Sequence, residues 1–370
     1  MFLRRIGALA GRIIGQFRHD RRTLALVFIV PLVIMTILNF VLASSESNLK
    51  LAIVPPAEPF GTQLVSQIKD AVPDKVTVST IDSDAVDSTL KSGDADGALI
   101  FPSDFASRLQ SGGATVTLRV EGSNPAASAQ LKQLAGLLVT ALSQPHATAG
   151  TSAQATAVTL NTTYLFGGPE FTQTDALAPL FIGLFAFFFV FLLTAVAFLR
   201  ERSQGTLERL MVSPMSRTEL VLGYVTGFTL FALIQSIVIL LFVIYVLRVH
   251  TLGNLPLIFL VTVTLTIAAV NLGIFLSAFA RNELQIIQFI PLVLVPQALL
   301  GGLFFPVATL PVVLKQVAYV MPLTYANFAL KDVMLRGQGL ETIWPDLVFL
   351  VGFAAAMVVL AAVSLRRQRA

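Results

Sequence analysis

RERSQGTLERLMVSPMSRTELVLG, residues 200–223, carries four arginines and three glutamates. The runs on either side of it, LAPLFIGLFAFFFVFLLTAVAFL (177–199) and the chain from Leu220 to Leu247, hold no acidic or basic residue. About twenty helical residues cross ~30 Å of hydrocarbon, so the stretch reads as a charged elbow between two bilayer spans. Glu201–Leu210 is expected to form a short amphipathic helix, which Ser213-Pro214 ends before a new helix start at Ser216. An elbow of this kind is either an inert loop or a docking lever.

Working outward, 55% of the 370 residues are hydrophobic and 12% charged, against roughly 25% charged in soluble domains. The reading is an α-helical polytopic membrane protein with six transmembrane helices. The spans are Thr23–Ala43, Leu177–Leu199, Leu220–Leu247, Leu255–Phe279, Ile286–Phe305 and Leu347–Leu365. Before them, residues 1–22 place Phe2, Ile6, Leu9, Ile13 and Phe17 on one stripe with arginines beside it. This is the pattern of an interfacial helix lying in the headgroup plane. The first apolar run is too long for a secretion signal and is read as an uncleaved anchor. Pro306–Pro345 is too apolar for a free loop and reads as two short helices, split at Met321-Pro322, that dip into the outer leaflet as a re-entrant pair.

Residues 44–175 differ in character. Strand-like runs at 50–54, 75–80, 97–101 and 114–120 alternate with helix-like runs at 60–71, 84–91 and 103–110, and a long Ala/Gln/Thr-rich helix is expected from Pro125 to about Val158. Such alternation predicts a small α/β domain, net −6. Arginine placement orients the chain. With the N-terminus cytoplasmic, segments 1–22, 200–219, 280–284 and 366–370 hold 14 arginines, no lysine and five acids, while the outer segments total −5. This is the positive-inside pattern. Both termini and the elbow then face the cytoplasm, and the α/β domain between helices 1 and 2 faces outward.

Several chemistries are missing. There is no cysteine, hence no disulfide or thiolate site. No GxxxxGK[ST] occurs, so the chain has no P-loop. His19, His146 and His250 have no metal spacing. Basic residues gather at span boundaries, which argues against nucleic acid. The spans carry no Asp, Glu, Lys, Arg or His in their middles, whereas ion-driven carriers need buried ionisable groups. Asn39, Thr194, Gln235, Asn271, Gln288 and Gln297 read first as interhelical hydrogen-bond partners. The phenylalanine run of the second span reads first as packing and second as the wall of an apolar path. Phe185, Phe188, Phe189, Gln288 and Gln297 are the candidate path residues.

The order Arg200-Glu201-Arg202-Ser203-Gln204-Gly205-Thr206-Leu207-Glu208-Arg209-Leu210, followed by Ser213-Pro214, closely resembles the cytoplasmic motif of the type-2 ATP-binding-cassette permeases, approximately RE-x-x-x-GT-x-E-x-L-x-x-(S/T)-P. The N-terminal amphipathic helix, the outer domain, the span count and Pro-Leu-Thr-Tyr at 322–325 extend the resemblance along the chain. It implies a permease subunit, not an enzyme itself, that forms a homodimer or a closely related heterodimer. Two separate ATPase subunits carry the ATP and magnesium. Residues 200–217 would be the coupling helix, with Glu201, Gly205, Thr206, Leu207, Glu208 and Arg209 as coupling residues and Glu208 the main polar anchor. Members of that family export drugs, antibiotics, lipids, polysaccharides and sodium. The large outer domain disfavours polysaccharide, and the uncharged, phenylalanine-rich spans favour an apolar or amphipathic drug-like or lipid-like cargo at a bacterial plasma membrane. The alternatives are a sodium exporter and a non-transporting receptor or assembly factor whose outer domain binds a ligand.

Overall fold

The computed structural model describes residues 2–42, 49–73, 75–111, 113–143, 157–206, 216–303 and 306–367. Packing divides the chain into two units, Met1–Val41 with Leu177–Ala370, and Leu42–Ala176.

The first unit opens with α1 (Phe2–His19) and α2 (Arg21–Leu42). Ile6, Leu9, Ala10, Ile13 and Phe17 form one buried stripe on α1, as spacings of three and four residues dictate. Asp20 accepts the Thr23 N–H at 3.2 Å and the Thr23 hydroxyl at 2.6 Å, capping α2. Across this junction the helix direction changes by 71°.

The second unit is a five-stranded mixed sheet with helices on both faces. Its elements are β1 (Leu49–Val54), α3 (Phe60–Ala71), β2 (Val76–Thr80), α4 (Val86–Ser92), β3 (Gly97–Ile100), α5 (Phe105–Gln110), β4 (Gly113–Val120), α6 (Pro125–Leu142) and β5 (Ala157–Tyr164). The strand order is β2-β1-β3-β4-β5. Only the β3–β4 pair is antiparallel. Alternation along β1 sets the layers. Leu49, Leu51 and Ile53 pack with Leu64 and Ile68 of α3, Phe105 of α5 and Leu131 of α6. Ala52 and Val54 pack with Val86 and Leu90 of α4 on the opposite face. The long helix expected over 125–158 is corrected. α6 stops at Leu142, and AVTLNTTY forms β5, whose Val158 joins the core. The β-branched residues Val158, Thr159, Thr162 and Thr163 favour a strand there.

The first unit resumes with α7 (Gln173–Ser203), α8 (Arg217–Leu241, continued by a π-turn over Phe242–Val246), α9 (Leu255–Ser277) and α10 (Glu283–Leu300). Then come α11 (Val312–Ala318), α12 (Pro322–Arg336) and α13 (Leu340–Arg367). Five stretches, Thr174–Ser203, Leu222–Val246, Leu255–Ser277, Glu283–Leu300 and Leu340–Ala361, are each long and apolar enough to cross a membrane. The bent pair Phe2–His19 with Thr23–Leu38 qualifies jointly as a sixth. The last helix starts at Leu340 rather than Leu347 and takes in Pro345. A proline that close to a helix start removes one hydrogen bond without ending the helix. The second expected helix of 306–345 is α12, and it is enclosed. Leu323, Ala326, Ala329, Leu330, Val333 and Met334 are fully buried. A Cβ on Gly183 of α7 would lie 2.5 Å from Asn327 Oδ1, so α12 sits directly against α7.

Candidate functional site at the elbow

α7 runs beyond its apolar stretch, and its last turn carries Arg200, Glu201 and Arg202. The helix ends because Gly205 turns left-handed at φ 69°, with its N–H on Arg202 O at 3.2 Å. Nothing lies within 4 Å of where a Cβ would stand, so the need for glycine is conformational. Gly205→Ala is expected to cost about 1–2 kcal/mol, read as an earlier midpoint on SDS titration in micelles. Gly205→Asn should cost less, because asparagine tolerates this backbone.

The turn brings Thr206 back beneath Glu201. Thr206 Oγ1 lies 2.6 Å from the Glu201 carbonyl oxygen and 2.7 Å from Glu201 Oε2. Three further donors reach the same carboxylate. Arg12 Nη2 stands 3.1 and 3.2 Å from its two oxygens, Gln16 Nε2 2.8 Å from Oε1, and the Tyr224 hydroxyl 3.0 Å from Oε2. Glu201 is only 8% exposed and Tyr224 fully buried. A buried carboxylate is tolerated when its lone pairs are filled this completely. One side chain thereby joins α1, α7 and α8.

A second contact reinforces the junction. Ser216 and Glu219 form a reciprocal cap at the start of α8, at 3.1 and 2.6 Å, as the S-x-x-E pattern allows. Arg5 of α1 reaches Glu219 at 3.4 Å. The Ser216 backbone N–H is the main reason the Glu219 carboxyl ionises below its usual range, and the Ser216 hydroxyl and Arg5 add to it.

α1 and α8 approach closely because α8 presents glycines. A Cβ on Gly223 would stand 2.6 Å from Leu9 Cδ2, and one on Gly227 2.8 Å from Ile13 Cδ1 and 3.2 Å from Ala10 Cα. Small residues four apart let two helix backbones meet in this way. The apolar stripe of α1, expected to face lipid, is therefore spent largely on α8; Phe2 and Leu3 remain exposed. Between α1, α7 and α8 lies a cavity of about 120 Å³ whose wall includes Gln16, Phe17, Gln204 and Phe228.

Several site expectations change. Residues 201–203 belong to α7, so the helix expected over 201–210 does not begin at Glu201; the turn at Gln204-Gly205 ends α7, and Thr206 is helical again. Glu201, expected to meet an ATPase, has its oxygens filled from within the chain. Leu207, Glu208 and Arg209 lie outside the described residues. Of the path candidates, Phe185 and Phe189 are buried, Phe188 half-buried and Gln288 exposed. Gln297 is buried and accepts the Leu323 N–H at 3.1 Å. None of the five borders the cavity between α1, α7 and α8. Gln16, Tyr224 and the Gly223/Gly227 pair escaped the sequence reading. The signal for the glycines was present as G-Y-V-T-G at 223–227. Among the described residues no cluster of His, Cys, Asp or Glu is placed to hold a metal.

Residues 21–363 match the family model described as ABC-2 family transporter protein. The chain belongs to the ABC-2 transporter family. It is 30% identical over 206 residues to ABC transporter G family member 20 of Dictyostelium discoideum, covering 55% of this chain and 28% of that protein. It is 30% identical over 176 residues to the inner membrane transport permease YhhJ of Escherichia coli, 47% of each chain. To the probable multidrug ABC transporter permease YbhS of Escherichia coli it is 21% identical over 369 residues, 96% of this chain and 95% of that one. The ABC-2 chain thus spans half or less of the first two relatives and nearly all of the third. As an ABC-2 family member it is a multi-pass transmembrane subunit of an ABC transporter, and in the described part of its elbow Glu201 links α1, α7 and α8.

Proposed function

We propose that this ABC-2 protein is the permease of an exporter that moves an apolar or amphipathic, drug-like or lipid-like molecule out of the cytoplasm or the inner leaflet. Separate ATPase subunits, two beneath a pair of permease chains, bind ATP and magnesium and supply the energy. The observation that carries the reading is the last turn of α7. Its Glu201, the glutamate of the RE that opens the stretch matching the family's RE-x-x-x-GT-x-E pattern, gathers α1 and α8 into one unit. A push delivered there reaches three helices at once. The arginine asymmetry supports a cytoplasmic elbow, cytoplasmic termini and an outward α/β unit. The uncharged span middles and the likeness to YbhS, a probable multidrug permease, support the cargo class.

Glu208 is the proposed polar anchor to the ATPase. Truncating one partner of a buried interfacial charge pair costs ~2–5 kcal/mol, so Glu208→Ala is expected to weaken co-purification of the ATPase by about tenfold or more. Membrane insertion should be unchanged. Glu219→Ala is no neutral control, since Glu219 caps α8 and meets Arg5; exposed Glu341 of α13 serves instead. The assay is ATP-dependent accumulation of amphipathic fluorescent dyes in inside-out vesicles containing the complex. Accumulation in right-side-out vesicles alone would reverse the direction, and a Glu208→Ala complex of wild-type yield and activity would remove Glu208 from the anchor.

A further inference from the structure

The residues flanking Glu201 reach the junction of α9 and α10. Arg202 Nη1 donates to the carbonyl oxygens of Ser277 and Ala278 at 3.2 and 2.9 Å, and Nη2 donates to that of Ala280 at 2.8 Å. The last carbonyls of a helix have no partner within it, and its negative end favours a cation. A planar guanidinium serves several of them at once, whereas an ammonium acts as a point donor. Arg200 Nε meets Glu283 Oε1 at 3.1 Å, on the first residue of α10. An apolar contact completes the joint. Ala195 and Leu199 of α7 are buried with Ala280 and with Ile286 of α10.

α10 itself is sparsely held. Its only buried residues are Ile286, at the elbow end, and Gln297, at the far end. The far end is tied to α12, where Gln297 accepts the Leu323 N–H at 3.1 Å and the Gly301 carbonyl accepts Asn327 Nδ2 at 2.7 Å. Between the two anchors lie Pro291 and Pro296, each removing a helical hydrogen bond and making a place to bend. A rod fixed at its far end, hinged in its middle and gripped at its near end swings when the grip moves.

We propose that Arg202, assisted by Arg200, is a positioning residue that passes displacement of the elbow into the near half of α10, which swings about the Pro291–Pro296 segment. The inference rests on the reading that an ATPase moves the elbow. It differs from a mere orientation role for these arginines, since a charge that only sets topology has no need of three carbonyls.

The test is hydrogen exchange on the full chain, complexed with its ATPase and reconstituted in nanodiscs, with and without ATP plus vanadate. Peptides covering 197–206 and 281–290 report the elbow and the near half of α10. In the wild type, nucleotide is expected to change exchange in both segments by about threefold. Arg202→Gln should keep the change at 197–206 and lose it at 281–290. Arg202→Lys, which keeps the topology charge, should give a partial loss, and Glu283→Gln a smaller one. If Arg202→Gln does not fold, those two variants carry the test. A wild type with no change at 197–206 would overturn the coupling reading itself. A change at 197–206 without one at 281–290 would overturn transmission to α10. Wild-type behaviour in both segments of every folded variant would remove Arg202 and Arg200 from the role.

Discussion

Glu201→Ala is expected to destabilise the helical unit by about 2–3 kcal/mol and to loosen α1. Breaking a buried ion pair costs ~3–5 kcal/mol. The Arg12 side chain is 36% exposed and can turn back to water, which places the loss at the lower end of that range or below. Tyr224 has no such escape, being fully buried with Glu201 as its hydroxyl's acceptor. A double-mutant cycle separates these contributions. Tyr224→Phe alone should cost about 1 kcal/mol, and far less when Glu201 is already alanine, a coupling typical of contacting residues. Glu201→Gln should fall between, since an amide oxygen accepts but carries no charge for Arg12. The measurement is the SDS-titration midpoint of the purified chain. Additive costs for the two substitutions, or a Glu201→Ala midpoint equal to wild type, would mean the carboxylate is not the junction described.

Much of this arrangement was legible in the sequence, for reasons that can be traced residue by residue. The stripe of α1 was visible because Ile6, Leu9, Ile13 and Phe17 repeat at helical spacing, and that periodicity is local. Strands β1 to β4 were visible for a similarly local reason, as short apolar or β-branched runs alternating with helix-like runs. β5 was lost to its neighbourhood. It follows an alanine- and glutamine-rich run whose composition favours helix, and its own alternation of Val158, Leu160 and Thr162 is short.

The partners of polar side chains were not legible, because partnership is set by packing between segments distant in sequence. Glu201 lies 189 residues from Arg12. On a loop it would have faced solvent; it faces inward because α7 extends to Ser203 and carries it there. The extension was hidden by the charges themselves, which suggested that the span ended at Leu199. Arg200 and Arg202 likewise read as topology charges, and nothing local indicates that a helix end 75 residues away needs a donor. The same limit applies to Gln297. In sequence it is a polar residue in a span, hence a path candidate, whereas in the fold it supplies the acceptor for a backbone N–H at the start of α12.

Gly227→Leu is expected to lever α1 away from α8. At Gly227 an added Cβ would stand 2.8 Å from Ile13 Cδ1, 3.0 Å from Ile13 Cβ and 3.2 Å from Ala10 Cα. The first contact yields by a rotamer change, but the others involve the root of a side chain and the backbone, so the helix itself must retreat. Overpacking of this kind costs ~1–3 kcal/mol and occasionally more. The retreat also has a specific consequence. Arg12 and Gln16 sit one turn apart on α1, and both bond Glu201, so moving α1 takes two of its partners away together. Because the chain has no cysteine, one placed at Ala10, 3% exposed on the buried stripe, reports the separation. Its maleimide labelling in micelles should accelerate about tenfold in Gly227→Leu, the equivalent of ~1.4 kcal/mol in the opening equilibrium. Gly223→Ala should do less, since it adds a single carbon whose three nearest neighbours all belong to the Leu9 side chain, none to the α1 backbone. Gly11→Ala, with nothing within 4 Å, should leave the rate unchanged. Equal acceleration at Gly11 and Gly227 would indicate a general loosening of α1, and no acceleration at Gly227 would show that close approach to α8 does not hold it.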